Sequence, residues 1–264
     1  MNNIDFSKIS GTGNDFLVID DRKKALADPG KFALTVCNRK RSVGADGVLL
    51  VEKSKKADYK MRILNSDGSE AGMCGNGIRC IGLFAYLKKI AGKEQSVETL
   101  SGLKTVTILD AKKGLVDVNM GRPEDEKIGM VIKTGGKKFI GYFVNTGVPH
   151  TIVFNDSVNV SEYGRQIRYH KIFKPAGTNV NFVKVVDQNT IKVRTYERGV
   201  EAETEACGTG STASAYITNI LCKTKFPTEV VTSGGDRLQI DADEDGNLYM
   251  SGSVTYICEG KIFC

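Results

Sequence analysis

Two cysteines of this chain stand where a thiol would be reactive. Cys74 lies in SEAGMCGNGIRC (69–80) and Cys207 in ETEACGTGSTASAYI (203–217). In each stretch a glutamate (Glu70, Glu203) precedes the sulfur by four positions, a Gly-x-Gly turn follows it, and an apolar segment then reads as a helix. At a helix start the first backbone N–H groups lack intrahelical acceptors and the macrodipole is positive. A cysteine there has a lowered pKa, and its thiolate is the reactive form. The glycines let backbone amides approach a bound anion closely. Either turn alone fits an inert thiol at a helix cap equally well, and either glutamate alone fits a turn cap. Two copies point to chemistry. Two thiols on opposite sides of one ligand suit a reaction in which a base takes a proton from one face of a carbon and an acid delivers one to the other face. Such a pair holds one thiol and one thiolate, so its titration belongs to the pair.

The elements around these turns also recur. ISGTGNDFLVI (9–19) and VNTGVPHTIVF (144–154) each read as strand, Thr-Gly turn, strand. Segments 44–68 and 177–199 each begin at a glycine and run through two strands to a polar loop. VETLSGLKTVTI (97–108) and TEVVTSGGDRLQI (228–240) each read as strand, Ser-Gly turn, strand. The separations Gly13–Gly147, Gly44–Gly177, Cys74–Cys207 and Ser101–Ser233 are 134, 133, 133 and 132 residues. One offset held by four landmarks indicates a duplication. The expected fold is therefore α/β (α+β): two pseudo-symmetric domains, each a curved mixed or antiparallel sheet or barrel around a central helix, with the active site in the cleft between them. The helix expected at 78–90 is apolar on nearly every side (Ile78, Ile81, Leu83, Phe84, Leu87, Ile90), so it belongs inside a wrap of sheet. The expected domains are 1–113 with 254–264, carrying Cys74, and 114–253, carrying Cys207. The terminal YICEGKIFC is expected to complete the first sheet.

Composition narrows the partners. A chain of 264 residues, 41% apolar and 26% charged, is that of a soluble globular protein. The net charge of +6 comes from short lysine clusters interleaved with acids, without a basic stripe or base-stacking motif, so no nucleic-acid partner is expected. No apolar run approaches the ~18 residues of a membrane span, and MNNIDFSKIS lacks a signal-peptide layout, so the expected location is cytoplasmic, with no membrane partner. Seven cysteines without C-x-x-C, and only two histidines (His150, His170), argue against a disulfide framework and against a metal site. No cofactor is called for, although lysine count alone leaves pyridoxal phosphate open.

GTGNDF, NSDGSEAGMCGNGIRC, GTNVNFV and YERGVEAETEACGTG resemble, in order and over almost the whole chain, the signature segments of the diaminopimelate epimerase family. The resemblance implies a cofactor-independent, two-base epimerase converting LL- to meso-2,6-diaminopimelate, on the route to lysine and peptidoglycan. It implies that the catalytic thiols are Cys74 and Cys207, and that the anion-binding turns are Gly75-Asn76 and Gly208-Thr209. The residues that hold the substrate fall on Asn14, Asn65, Asn179, Glu197 and Arg198, with His150 and Glu197 in auxiliary roles. The expected partner is a small amino dicarboxylate; a homodimer is a further, open expectation. Read without the family, Asn14 and Asn65 are common turn residues, Asn179 could end a strand, Glu197–Arg198 could be a solvated ion pair, and His150 could be a satisfied loop histidine. Two positions depart from relatives. Val148 stands where many have an asparagine, and Gly47 where some have a glutamine. These leave a related amino-acid racemase as the nearest alternative. A thiol redox sensor is a more distant one, and a nucleotide-binding module lacks both a G-x-G-x-x-G after a strand and a Walker lysine.

Overall fold

Each apolar run flanked by a Thr-Gly or Ser-Gly turn becomes a strand in the computed structural model, which describes residues 3–263. The chain divides into two units. One runs up to Val118 and takes back the chain from Gly252 onward; the other spans Asn119–Ser251.

The first unit contains β1 (Asn3–Gly11), β2 (Asn14–Asp20), α1 (Pro29–Val36), β3 (Gly47–Glu52), β4 (Tyr59–Asn65), β5 (Glu70–Ala71), α2 (Gly75–Leu87), β6 (Glu94–Thr99), β7 (Gly102–Asp110) and β8 (Leu115–Gly121). The last strand of the chain (Leu248–Phe263) pairs antiparallel with β1 from Gly11↔Val254 to Asn3↔Phe263, and it also pairs with β8. Pairing therefore runs from that strand through β1, β2, β3, β4, β6, β7 and β8 back to itself, an eight-stranded closed barrel. The steps β2/β3 and β4/β6 are parallel, and β5 rides on the end of β4. Closure leaves no open strand edge. The terminal segment thus returns to the first sheet, with Cys264 lying outside the described residues.

α2 packs against β1, β2, β3, β4 and β7. Its residues Gly75–Ala85 are all buried, as an all-round apolar helix requires. Ile78, Ile81, Leu83 and Phe84 each add about 1.5–3 kcal/mol of burial, so sheet packing rather than helix propensity holds this segment. β3 is buried on both sides because alternate side chains serve two helices. Leu49 meets Gly77 of α2, while Val48 and Leu50 join Ala33 and Val36 of α1.

The second unit repeats the plan with β9 (Glu124–Thr134), β10 (Lys137–Asn145), β11 (Pro149–Val153), α3 (Val160–Arg168), β12 (Asn179–Val185), β13 (Thr190–Glu197), β14 (Ala202–Thr204), α4 (Gly208–Ile220), β15 (Thr228–Val231), β16 (Arg237–Ala242) and the start of the last strand, β17. The order β10-β11-β12-β13-β15-β16 has its parallel steps at β11/β12 and β13/β15, matching the first unit, and β14 rides on β13. α4 packs against β10, β11, β12, β13, β15 and β16. It is richer in hydroxyls than α2. Thr212, Ser214 and Thr218 are buried because their hydroxyls donate to carbonyls of the same helix, at 3.0, 2.7 and 2.9 Å. Among the described residues no helix is long and apolar enough to cross a membrane.

Candidate active site

The two sulfurs occupy the same structural position. Cys74 is the N-cap of α2 and Cys207 the N-cap of α4, both with extended backbone, and both are half-buried. The expected helix at 78–90 therefore begins three residues earlier, at Gly75, because Cys74 itself supplies the cap. Its Sγ accepts a hydrogen bond from Gly77 N at 3.4 Å, the bond a Ser or Asp cap would accept. Gly75 and Asn76 in one turn, and Gly208 and Thr209 in the other, thus present the first amides of a thirteen-residue helix.

In the first unit Asn14 and Asn76 meet. Asn76 Nδ2 donates to Asn14 Oδ1 at 2.7 Å, and Asn14 Nδ2 donates to Asp46 Oδ2 at 3.2 Å. Asp46 is anchored in turn by Arg39 at 2.8 Å, which also grips Asp15. Behind Asn76 lies Arg79, fully buried, which donates to Asn76 Oδ1 at 2.7 Å, to Gly75 O at 3.2 Å and to Thr12 Oγ1. Asn65 is exposed at the end of β4, donating to Ser69 Oγ at 2.9 Å, and no hydrogen bond joins it to the Asn14–Asn76 pair. Gly47 sits beside it in register. A Cβ there would meet Leu64 O at 2.7 Å, so this backbone has no room for a side chain at position 47.

In the second unit His150, Thr209 and Cys207 form a line. His150 is fully buried, with Nε2 2.9 Å from Thr209 Oγ1 and Nδ1 3.0 Å from Asn181 Nδ2. Asn181 Oδ1 accepts from the Thr195 hydroxyl at 2.9 Å. That bond turns the Asn181 amide N–H toward Nδ1 and assigns the proton to Nε2, which donates to Thr209. The Thr209 hydroxyl lies 3.5 Å from Cys207 Sγ and can direct its own hydrogen there. Burial pushes the imidazole pKa down to about 3, and the Arg198 charge adds to that, so His150 is neutral at physiological pH. Gly210 permits this packing: a Cβ on it would lie 2.4 Å from Asn181 Oδ1 and 3.3 Å from both His150 Cε1 and Cys207 Sγ. Asn179 is buried and spends its amide on backbone, donating to Pro149 O at 3.0 Å and accepting from Arg198 N at 2.8 Å. It therefore joins the ends of β11 and β13.

Glu197 and Arg198 are not an ion pair. They are consecutive, and no carboxylate among the described residues forms an ion pair with Arg198, whose Nη1 donates to Ala176 O at 3.3 Å. Glu197 is largely withdrawn from water, and burial holds its carboxyl above the usual range. The glutamates four before each thiol are otherwise engaged. Arg62 grips Glu70 through two 2.8 Å bonds, and Arg194 grips Glu203 at 2.8 and 2.9 Å. Each brace ties β5 or β14 to its neighbouring strand and takes the carboxylate out of the chemistry at the thiol. Arg79, Thr12, Asp46, Asn181 and Thr195 escaped the reading of the sequence. All five lie inside the repeated or signature segments, yet none was singled out there, because nothing local marks the partner each one meets. Val148 follows the Thr146–Gly147 turn and precedes Pro149 at the start of β11. No cluster of three or more potential metal ligands occurs among the described residues.

The diaminopimelate epimerase family profile matches residues 6–125 and 142–257, which takes in both cysteine turns. The chain belongs to the diaminopimelate epimerase family. It is 45% identical to the diaminopimelate epimerase of Archaeoglobus fulgidus, over 97% of this chain and 95% of that protein. It is 44% identical to the diaminopimelate epimerase of Aquifex aeolicus, over 98% of each. The fold is also that of a probable proline racemase from Agrobacterium radiobacter K84, at a TM-score of 0.73 and 14% identity, covering 98% of this chain and 93% of that one.

Proposed function

We propose that this chain is a diaminopimelate epimerase, an isomerase that inverts one α-carbon of LL-2,6-diaminopimelate to give the meso isomer for lysine and peptidoglycan precursor synthesis. The observation that carries the reading is the pair of thiols at matching helix caps within a family match spanning nearly the whole chain. Cys74 and Cys207 are the two bases. A thiolate takes the α-proton, and the opposing thiol delivers a proton to the other face; in the reverse direction they exchange roles. This requires both sulfurs to reach one α-carbon.

The α-carbon of an amino acid is a weak acid, so negative charge developing on the carboxylate must be stabilised. The first amides of α2 and α4 are suited to that task, because preorganised dipoles in a dry site need no reorganisation. The Asn76–Asn14 pair and the Thr209 hydroxyl line those turns as substrate contacts, with Asn65, Asn179, Glu197 and Arg198 as the other polar groups for a substrate bearing an ammonium and a carboxylate at each end. A site that holds the distal amino-acid end rejects ordinary amino acids, because its own polar groups would be left unpaired. The chemistry needs no cofactor. We place the enzyme in the cytoplasm, with a homodimer as its proposed assembly.

Deuterium uptake tests this reading. The reduced enzyme is incubated in heavy water, without added pyridoxal phosphate, with LL-diaminopimelate or with single-centre amino acids including histidine, glutamate and proline. Exchange and inversion of diaminopimelate alone is the expected result. Exchange of another amino acid with none of diaminopimelate would assign the two thiols to a racemase, with Val148 and Gly47 marking its altered pocket.

A further inference from the structure

The two helix starts satisfy the same backbone carbonyl by different means. In α4 the Thr212 hydroxyl reaches back four residues to Gly208 O at 3.0 Å. In α2 the residue 133 positions earlier is Arg79, whose Nε reaches back four residues to Gly75 O at 3.2 Å. A hydroxyl suffices for that carbonyl in one half, so the guanidinium in the other half does something further. Its Nη2 forks between Asn76 Oδ1, at 2.7 Å, and Thr12 Oγ1. Arg79 is fully buried, and withdrawing a guanidinium from water costs free energy that an apolar side chain of similar volume would not.

We propose that Arg79 is a positioning residue for Cys74: its guanidinium clamps the Asn76 amide and the first turn of α2 in the arrangement that holds negative charge on the Cys74 sulfur and on an anion at that turn. Asn76 has no rotational choice left, since its oxygen is taken by Arg79 and its Nδ2 faces Asn14 Oδ1 at 2.7 Å. The positive charge lies against the turn that Cys74 caps. Cys80, the next residue of α2, feels both Arg79 and Cys74, and burial pushes its thiol up so that it stays protonated. The other charged groups facing this corner are Asp46, through Asn14, and beyond it Asp15 with Arg39 and Lys8. The catalytic meaning of the clamp rests on the function proposed above; the clamp itself does not.

The test is alkylation of the full-length reduced protein with iodoacetamide across pH, with Cys74 and Cys207 read separately by mass spectrometry. In Arg79→Met the midpoint for Cys74 is expected to rise by about one pH unit, with no change at Cys207. At pH 7 the loss in kcat/KM should be on the order of tenfold. Arg79→Lys keeps the charge and should restore most of the Cys74 midpoint, which a purely structural role would not predict. An unmoved Cys74 midpoint in folded Arg79→Met, or equal shifts at both cysteines, would overturn the proposal. If Arg79→Met fails to fold, Thr12→Ala carries the test. It removes one anchor and leaves the charge, so a smaller upward shift at Cys74 alone supports the clamp, and no shift refutes it. Failure of the wild-type protein to exchange diaminopimelate would sink the proposed function and leave these alkylation profiles standing.

Discussion

Cys74 and Cys207 cap helices of equal length in equivalent places, yet the first is backed by a guanidinium and two amides and the second by an imidazole and hydroxyls. The strand register locates the divergence. Phe16 pairs with Gly47 in the first unit, and His150 pairs with Asn179 in the second. Leu49 pairs with Ile63, and Asn181 pairs with Thr195 at positions 132 residues later. An apolar layer beneath α2 has become, beneath α4, a polar layer that fixes one histidine tautomer. Asn14 is matched by Val148, one residue after the Thr-Gly turn in each half. What both halves keep is a cysteine at the N-cap position and the Arg–Glu brace beside it. The lesson is that a duplicated scaffold can hold its geometry while each thiol receives its own electrostatic support.

The comparison breaks first at the sulfurs. Cys74→Ala and Cys207→Ala should each lower diaminopimelate turnover by about a thousandfold or more while the protein keeps its melting profile. Serine at either site should recover little, since a hydroxyl is a far weaker acid than a thiol. Substantial turnover by either alanine variant would leave the halves unequal in kind and end the two-base assignment.

Support of Cys207 by the His150–Thr209 line can be separated from support of Cys74. Thr209→Val should cut kcat/KM on the order of tenfold and raise the alkylation midpoint of Cys207 only. A matching shift at Cys74 would show that the supports are not local.

Stability against pH sharpens the Phe16–His150 difference. The folded-state pKa of His150 is lowered, from 6.5 to about 3, so the unfolded chain binds a proton there that the folded chain refuses. Stability from this group is therefore present above about pH 6.5 and is lost as pH falls toward 3, at up to about 1.4 kcal/mol per pH unit. His150→Phe, which copies the first unit, should flatten that part of a urea-denaturation series measured from pH 7 to pH 4. An unchanged slope would place the histidine's proton elsewhere.

The smallest effect belongs to what the halves share. Glu70→Gln and Glu203→Gln should each cost less than about 1 kcal/mol, because both braces are partly open to solvent. Turnover should change little in either. A large loss of activity in one variant alone would return that glutamate to the thiol chemistry.

The duplication, the paired hairpins and the two capping cysteines were legible in the chain because each is written locally. Thr-Gly and Ser-Gly turns, β-branched runs and a Cys-Gly-x-Gly step into an apolar segment all act over a few residues, and the near-constant offset exposed the repeat. The partners of those residues were not legible. Arg79 reads as an ordinary helix former until Thr12, 67 residues away, is brought against it. Asn181 and Thr195 lie in a segment read only as two strands, and only pairing sets them beside His150. Glu70 and Glu203 read equally well as turn caps or as groups beside a thiol until the cross-strand arginines claimed them. The sequence by itself determined which groups could do chemistry and that the thiol turns came as a pair. Tertiary structure decided which charges back them and which are spent on structure, because in a closed barrel a side chain's environment is set by strands far away in the chain.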